Sequence, residues 1–205
     1  MKVLLLNGSP NENGCTATAL KVCAETLKEC GVETEFAHVG TGAIHGCIAC
    51  FQCEETGRCA FEEDVTNGII VQAESADGII VGTPVYYAGP TGAVCSVLER
   101  MFTAAGERLC GKPAATVVCC RRNGASATFD RINKFFAYNH MPIVTSQNCW
   151  NVVHGQEPDE VLKDEEGLQT LRVLSRNMAW MLRAIDGAKE DRPQPEEWIE
   201  TSFIR

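Results

Sequence analysis

The chain opens on an apolar run, Lys2 to Leu6 (KVLLL), whose lack of alternation reads as a strand buried on both faces. Gly8, Ser9 and Pro10 end it. From Thr16 to Cys30 the period lengthens: Ala19, Leu20, Cys23, Leu27 and Cys30 share one stripe, a helix with Gly31 at its C-terminal cap. Residues 32–39 alternate as a second strand. The pattern then predicts a helix over 63–76 with acids in its first turn and a buried strand over 78–85. A helix over 89–104 follows, with Pro90 near its start, and then a strand over 112–120. A helix over 127–139, a fifth strand over 141–147 and one long helix over 158–185 complete the series. The polar, proline-bearing stretch 188–205 is expected to be an irregular tail behind a single domain of residues 1–187.

Strands alternating with helices predict an α/β fold, a three-layer αβα sandwich around a doubly wound parallel sheet. Five strands fit the order 2-1-3-4-5, with ligands at the carboxyl ends of the strands. A cysteine-rich loop follows the second strand. Internal repeats, low-complexity tracts and interdomain linkers are absent from the sequence.

Composition narrows the function. The 205 residues suit one α/β domain, and the formal net charge of −9 disfavours a nucleic-acid partner. No apolar run reaches the roughly 18 residues of a membrane span, and the apolar start is too short for a signal peptide. A cytoplasmic protein without membrane contact is expected. Twelve cysteines in such a chain argue against a disulfide framework and for metal or redox use of some of them.

Three loops at one edge of the expected sheet carry candidate chemistry. After the first strand, NGSPNENGCTATAL offers small residues, the hydroxyls of Ser9 and Thr16 and the free N–H groups of a helix start, which suit a phosphate monoester. It matches neither the nucleotide-triphosphate loop nor the dinucleotide fingerprint. After the third strand, GTPVYYAGPTG places Tyr86 and Tyr87 beside exposed backbone, able to flank a planar heterocycle or simply to cover the sheet end. After the fourth strand, CCRRNGASATFD brings Arg121 and Arg122, which can stabilise a negative charge or stand solvated.

NGSPNENGCTATAL and GTPVYYAGPTGAVCSVLERM resemble the flavin-binding segments of the NAD(P)H-dependent FMN reductase family, over roughly residues 1–150. The resemblance implies a flavodoxin-like fold with FMN as cofactor and NAD(P)H as substrate. By it, Ser9, Pro10, Asn13, Gly14, Cys15 and Thr16 would hold the FMN phosphate. Pro84, Val85, Tyr86, Tyr87 and Ala88 would border the isoalloxazine ring, with Arg121, Arg122, Asn123 and Gly124 on its other side. Cys15 stands where such loops more often carry Asn or Ser, so its backbone is the expected contact.

Within GCIACFQCEETGRC, Cys47, Cys50, Cys53 and Cys59 follow the spacing C-x2-C-x2-C-x5-C. Three thiols at two-residue gaps can wrap one face of a cubane cluster and the fourth can close it. Four thiolates can also bind zinc, although zinc sites usually pair two knuckles across a longer gap. A loop of free thiols is the third reading. The segment resembles the cysteine motif of iron–sulfur flavoproteins, a branch of the same superfamily. That implies a [4Fe–4S] cluster on these four cysteines and assembly as a homodimer or homotetramer.

The other eight cysteines are scattered, and most suit small core positions. His45, His140, His154, Trp150 and Asp130 form no catalytic constellation, so no acid or base residue is expected and the flavin carries the chemistry. The function expected is an FMN-dependent oxidoreductase passing electrons from NAD(P)H to a small molecule or to the cluster. The rival readings are an electron carrier reduced by a ferredoxin-like partner and a zinc-stabilised binding module.

Overall fold

The computed structural model describes residues 1–147, 150–193, 196, 197, 199, 201 and 203. Five strands, β1 (Lys2–Asn7), β2 (Glu33–His38), β3 (Gly78–Pro84), β4 (Ala114–Cys120) and β5 (Val152–His154), form an all-parallel sheet. Their order is β2-β1-β3-β4-β5, as the alternation predicts. The helices are α1 (Cys15–Glu29), α2 (Gln52–Thr56), α3 (Thr66–Ser75), α4 (Gly92–Leu109), α5 (Ala125–Tyr138), α6 (Pro158–Val161) and α7 (Glu165–Gly187).

Period-two alternation inside the continuous apolar strands builds two cores. Leu4, Leu6, Ile79 and Val81 face α3, α4 and α5. Val3, Leu5, Ile80 and Val117 face α1 and α7. All eight are fully buried. Burying each leucine or isoleucine is worth about 1.5–3 kcal/mol, and that fixes which helix covers which face.

The fifth strand departs from the sequence expectation. Residues 141–147 touch β4 only near its start, where the Ala114 N–H donates to the Pro142 carbonyl at 2.9 Å and the Val144 N–H to the Ala114 carbonyl at 2.8 Å. Pro142 has no N–H to extend a ladder. Asn151 then draws the segment out of line. Its buried side chain accepts from the Ser146 N–H at 3.1 Å and donates to the Val144 carbonyl at 3.4 Å. The chain re-enters as Val152–His154, which pair with Val118–Cys120. The topology stands, but the strand lies about ten residues later than the apolar run suggests.

The single final helix is also two. Residues 162–164 break it, and Asp164 starts α7 by accepting from the Gly167 N–H at 2.9 Å. Asp164 followed by Glu165 and Glu166 is an N-cap signal that the apolar stripe masked. The helix expected from 89 begins instead behind Thr91, its N-cap, so Pro90 lies outside it. The short helix α2 inside the cysteine loop was not anticipated. Lys189–Asp191 of the expected tail form one 3-10 turn.

Candidate functional site

The loops after β1, β3 and β4 meet at the carboxyl edge of the sheet, where the strand order reverses. In the first, Gly8 donates to the Gly82 carbonyl at 2.7 Å. A Cβ on Gly8 would stand 2.8 Å from that carbonyl, so only glycine allows the approach. Asn7 accepts from the Ser9 N–H at 3.0 Å, Ser9 Oγ from the Asn11 N–H at 3.1 Å, and Asn11 from the Asn13 N–H at 3.2 Å. His38 Nε2 donates to the Ser9 carbonyl at 2.7 Å. The loop is therefore rigid without a ligand's help.

The loop ends at the start of α1, where Gly14 supplies no side-chain cap. The first N–H groups of α1 thus face the crevice with the positive end of the helix dipole. Thr16 is buried, and its hydroxyl meets only the Cys119 thiol, a weak hydrogen-bond partner. A hydroxyl so weakly partnered under an uncapped helix start fits a phosphate oxygen. Ser9 and Gly14 are buried, Pro10 and Cys15 half-buried, and Asn13 exposed. Burial pushes the Cys15 thiol up, and Glu157 and Glu160 push it further, so it stays protonated beside an anion.

The second loop is a tight hairpin. Tyr86 and Gly89 exchange N–H···O bonds of 2.8 and 3.1 Å, and Tyr87 and Ala88 at its tip have φ of 49° and 62°. Primed turns of this kind normally carry Asn-Gly, so two side-chain-bearing residues here store strain. Pro84 and Val85 are half-buried, and Tyr87 is fully exposed. In the third loop Gly124 has φ +82°, and a Cβ there would stand 2.7 Å from Ala88 Cα. Val85, Tyr87, Ala88, Cys120, Arg121, Arg122 and Asn123 line an open cavity of about 340 Å³. The structure thus gathers the predicted ring-side residues on one cavity. Pro84, Tyr86 and Gly124 adjoin it without lining it.

The cysteine loop packs on α4, away from this crevice. Cys47, Cys50, Cys53 and Cys59 line one cavity of about 20 Å³ with Ile48, Phe51, Phe61 and Arg100. Ala49 and Phe51, on either side of Cys50, have φ of 51° and 58°. Left-handed residues at alternate positions curl the backbone so that successive thiols turn to one side. Cys47 and Cys50 are exposed, Cys53 and Cys59 half-buried. Burial raises the Cys53 thiol, and charge on Cys47, Cys50 and Cys59 raises it further, so the four are electrostatic neighbours. Among the described residues no three His, Cys, Asp or Glu side chains converge closely enough to ligate one ion.

Sequence reading missed Arg100 and Asp64, which hold this loop, and Thr91, which joins the first two loops. Thr91 was legible as an N-cap before Gly92. Arg100, a lone cation in an apolar helix stripe, was legible only as an anomaly. His154, next to Cys120 in the sheet register, lies 3.2 Å from Asp164, and Trp150 packs edge-on against Phe129. His45 stacks on Phe61, and Asp130 is exposed. Of the scattered cysteines, Cys23, Cys119 and Cys120 are buried and Cys15, Cys30, Cys95 and Cys110 half-buried. Burial pushes the Cys23 thiol up to about 12. Cys149 lies outside the described residues.

The sheet order, the crevice at its switch point and the phosphate-ready loop define a flavodoxin-like protein. The structure superposes with a TM-score of 0.72 on RosB bound to 8-demethyl-8-formylriboflavin-5′-phosphate, at 17% identity, covering 100% of this chain and 94% of that one. A WrbA-like flavodoxin from Agrobacterium tumefaciens gives 0.64 at 13% identity, over 89% and 98% of the two chains. The family model for NADPH-dependent FMN reductase matches residues 1–155, and the chain belongs to that family of FMN-dependent flavoprotein oxidoreductases. An iron-sulfur flavoprotein of Methanocaldococcus jannaschii is 30% identical over 192 residues, 90% of this chain and 99% of the relative. No helix among the described residues is long and apolar enough to cross a membrane.

Proposed function

We propose that this chain is an FMN-dependent oxidoreductase of the iron–sulfur kind, drawing electrons from NAD(P)H and carrying a [4Fe–4S] cluster on Cys47, Cys50, Cys53 and Cys59. The observation that carries the reading is the convergence of those four cysteines on one cavity against α4, the helix whose N-terminus closes the flavin crevice. The relative's name, iron-sulfur flavoprotein, supports it. A cubane spreads its four thiolates further apart than a single tetrahedral ion does. The crowded spacing C-x2-C-x2-C-x5-C supports the cluster over zinc, whose sites usually pair two knuckles across a longer gap.

The crevice residues fit FMN. The free N–H groups of Cys15 and Thr16, with the Thr16 hydroxyl, would hold the phosphate, and Ser9, Pro10, Asn13 and Gly14 would shape the loop around it. Pro84, Val85 and Ala88 would supply the wall beside the ring, with Tyr86 and Tyr87, both exposed in the single chain, at its edge. Arg121 and Arg122 balance negative charge there, with Asn123 and Gly124 setting the loop. FMN, when bound, exchanges two electrons with a nicotinamide and one with a cluster. No acid or base side chain is assigned a step.

The exposure of Cys47 and Cys50 favours a second reading, an electron carrier that meets a ferredoxin-like protein at the cysteine loop. The fully exposed Tyr87 at the open crevice supports a homodimer or homotetramer in which a second copy covers the site. All described cysteines are free, which suits a reducing cytoplasm.

The test is anaerobic purification with FMN, iron, sulfide and zinc counted per chain. About one FMN with about four iron and four sulfide is expected; FMN without metal would overturn the cluster. Anaerobic bleaching of the flavin by NADPH or NADH separates the reductase from the carrier. Bleaching by reduced ferredoxin alone would overturn the first reading in favour of the second.

A further inference from the structure

Arg100 is the bulkiest fully buried side chain among the described residues, and its guanidinium is shut off from solvent. A buried cation is tolerated only when its donors are matched. Every partner of this one comes from the cysteine segment and its exit. Nη1 donates to the Asp64 carboxylate and, at 3.3 Å, to the His45 carbonyl; Nη2 donates to the Phe61 carbonyl at 2.9 Å. Nε donates to Cys59 Sγ at 3.0 Å. The Phe61 ring lies 5.3 Å from the guanidinium carbon.

Three of these contacts would suffice to staple a loop to a helix. The fourth does something more specific. Because the guanidinium is planar, the Asp64 carboxylate and the two carbonyls fix its orientation, and that orientation aims Nε–H at a cysteine sulfur. A full positive charge, itself buried, is thereby held against Cys59, one of the four thiols of the cavity.

We propose that Arg100 is a positioning residue for the cysteine site, holding Cys59 against α4 and raising the reduction potential of the cluster carried there. The proposal rests on the cluster reading above. Its physical basis is that hydrogen bonds and positive charge at a ligating sulfur favour the more negative, reduced form. The step so biased is a one-electron transfer. The reduced flavin would be oxidised by one electron and the oxidised cluster reduced by one, its charge falling by one unit.

The experiment compares wild type, Arg100→Gln and Arg100→Lys, all loaded anaerobically. FMN, iron and sulfide are counted, and the cluster potential is read by a titration followed by electron paramagnetic resonance. Retained FMN reports an intact fold, because the crevice lies elsewhere. Arg100→Gln is expected to shift the equilibrium tenfold or more against cluster reduction, about 59 mV for one electron. Arg100→Lys keeps the charge and the Asp64 partner but loses Nε–H, and is expected to shift it at least threefold. Wild-type potentials in loaded variants overturn the proposal and leave the cluster reading standing. Should the Gln variant lose FMN, an unshifted Lys variant alone overturns it. A wild-type chain that takes up FMN but no iron or sulfide overturns the cluster reading and the proposal together.

Discussion

The Thr91 hydroxyl donates to the Gly8 carbonyl at 2.7 Å, and the same oxygen accepts the Val94 N–H at 3.2 Å. One side chain thus caps α4 and ties the loop after β1 to the loop after β3. Thr91→Ala removes both bonds and is expected to cost about 1–2 kcal/mol of stability. FMN affinity falls with it, because the two walls of the crevice lose their common anchor. Thr91→Ser keeps both bonds and retains most of the stability and the affinity. Urea unfolding and FMN fluorescence titration read the two effects.

Gly124 faces a different constraint. Its φ of +82° suits glycine, and a Cβ would sit 2.8 Å from Val85 Cγ1 as well as 2.7 Å from Ala88 Cα. Backbone cannot yield as a flexible side chain does. Gly124→Ala is expected to push the Arg121–Asn123 loop off the hairpin and weaken FMN binding tenfold or more, about 1.4 kcal/mol. Unchanged FMN affinity would show that the ring does not use this wall.

The cysteines divide by position. Replacing Cys47, Cys50, Cys53 or Cys59 singly with alanine is expected to abolish iron uptake while leaving FMN bound, since the cavity and the crevice are separate. Cys95→Ala, on α4 but outside the cavity, should keep both. Iron and flavin counts on the purified variants decide the matter.

Glu74 gives a pH signature. Burial would raise its carboxyl pKa, but the hydrogen bonds from Arg58 at 2.8 Å and Arg108 at 2.6 Å outweigh burial and hold it below the ordinary range. A carboxylate whose pKa is lower folded than unfolded stabilises the fold above its unfolded value. That stability is lost as pH falls through the folded value. Wild type should therefore exceed Glu74→Gln in stability by a constant margin near neutrality, and the margin should close in acid. Urea midpoints across pH check it; a margin that grows in acid would refute the assignment.

The sequence by itself determined the sheet, its order and most element boundaries, because burial on one or two faces leaves a period in the chain. It also showed the small-residue loop before α1 and the four-cysteine spacing, since both are local: a turn, a helix start and a thiol rhythm lie within a dozen residues. Only tertiary structure decided what depends on contacts distant in sequence. The true fifth strand is three residues long, and its place is set by Asn151 reaching back to Val144 and Ser146. The Thr91–Gly8 tie spans 83 residues and the Arg100–Cys59 bond 41. Hydrophobic period records which face of an element is buried, whereas a single hydrogen bond between remote side chains leaves no period for a sequence to show.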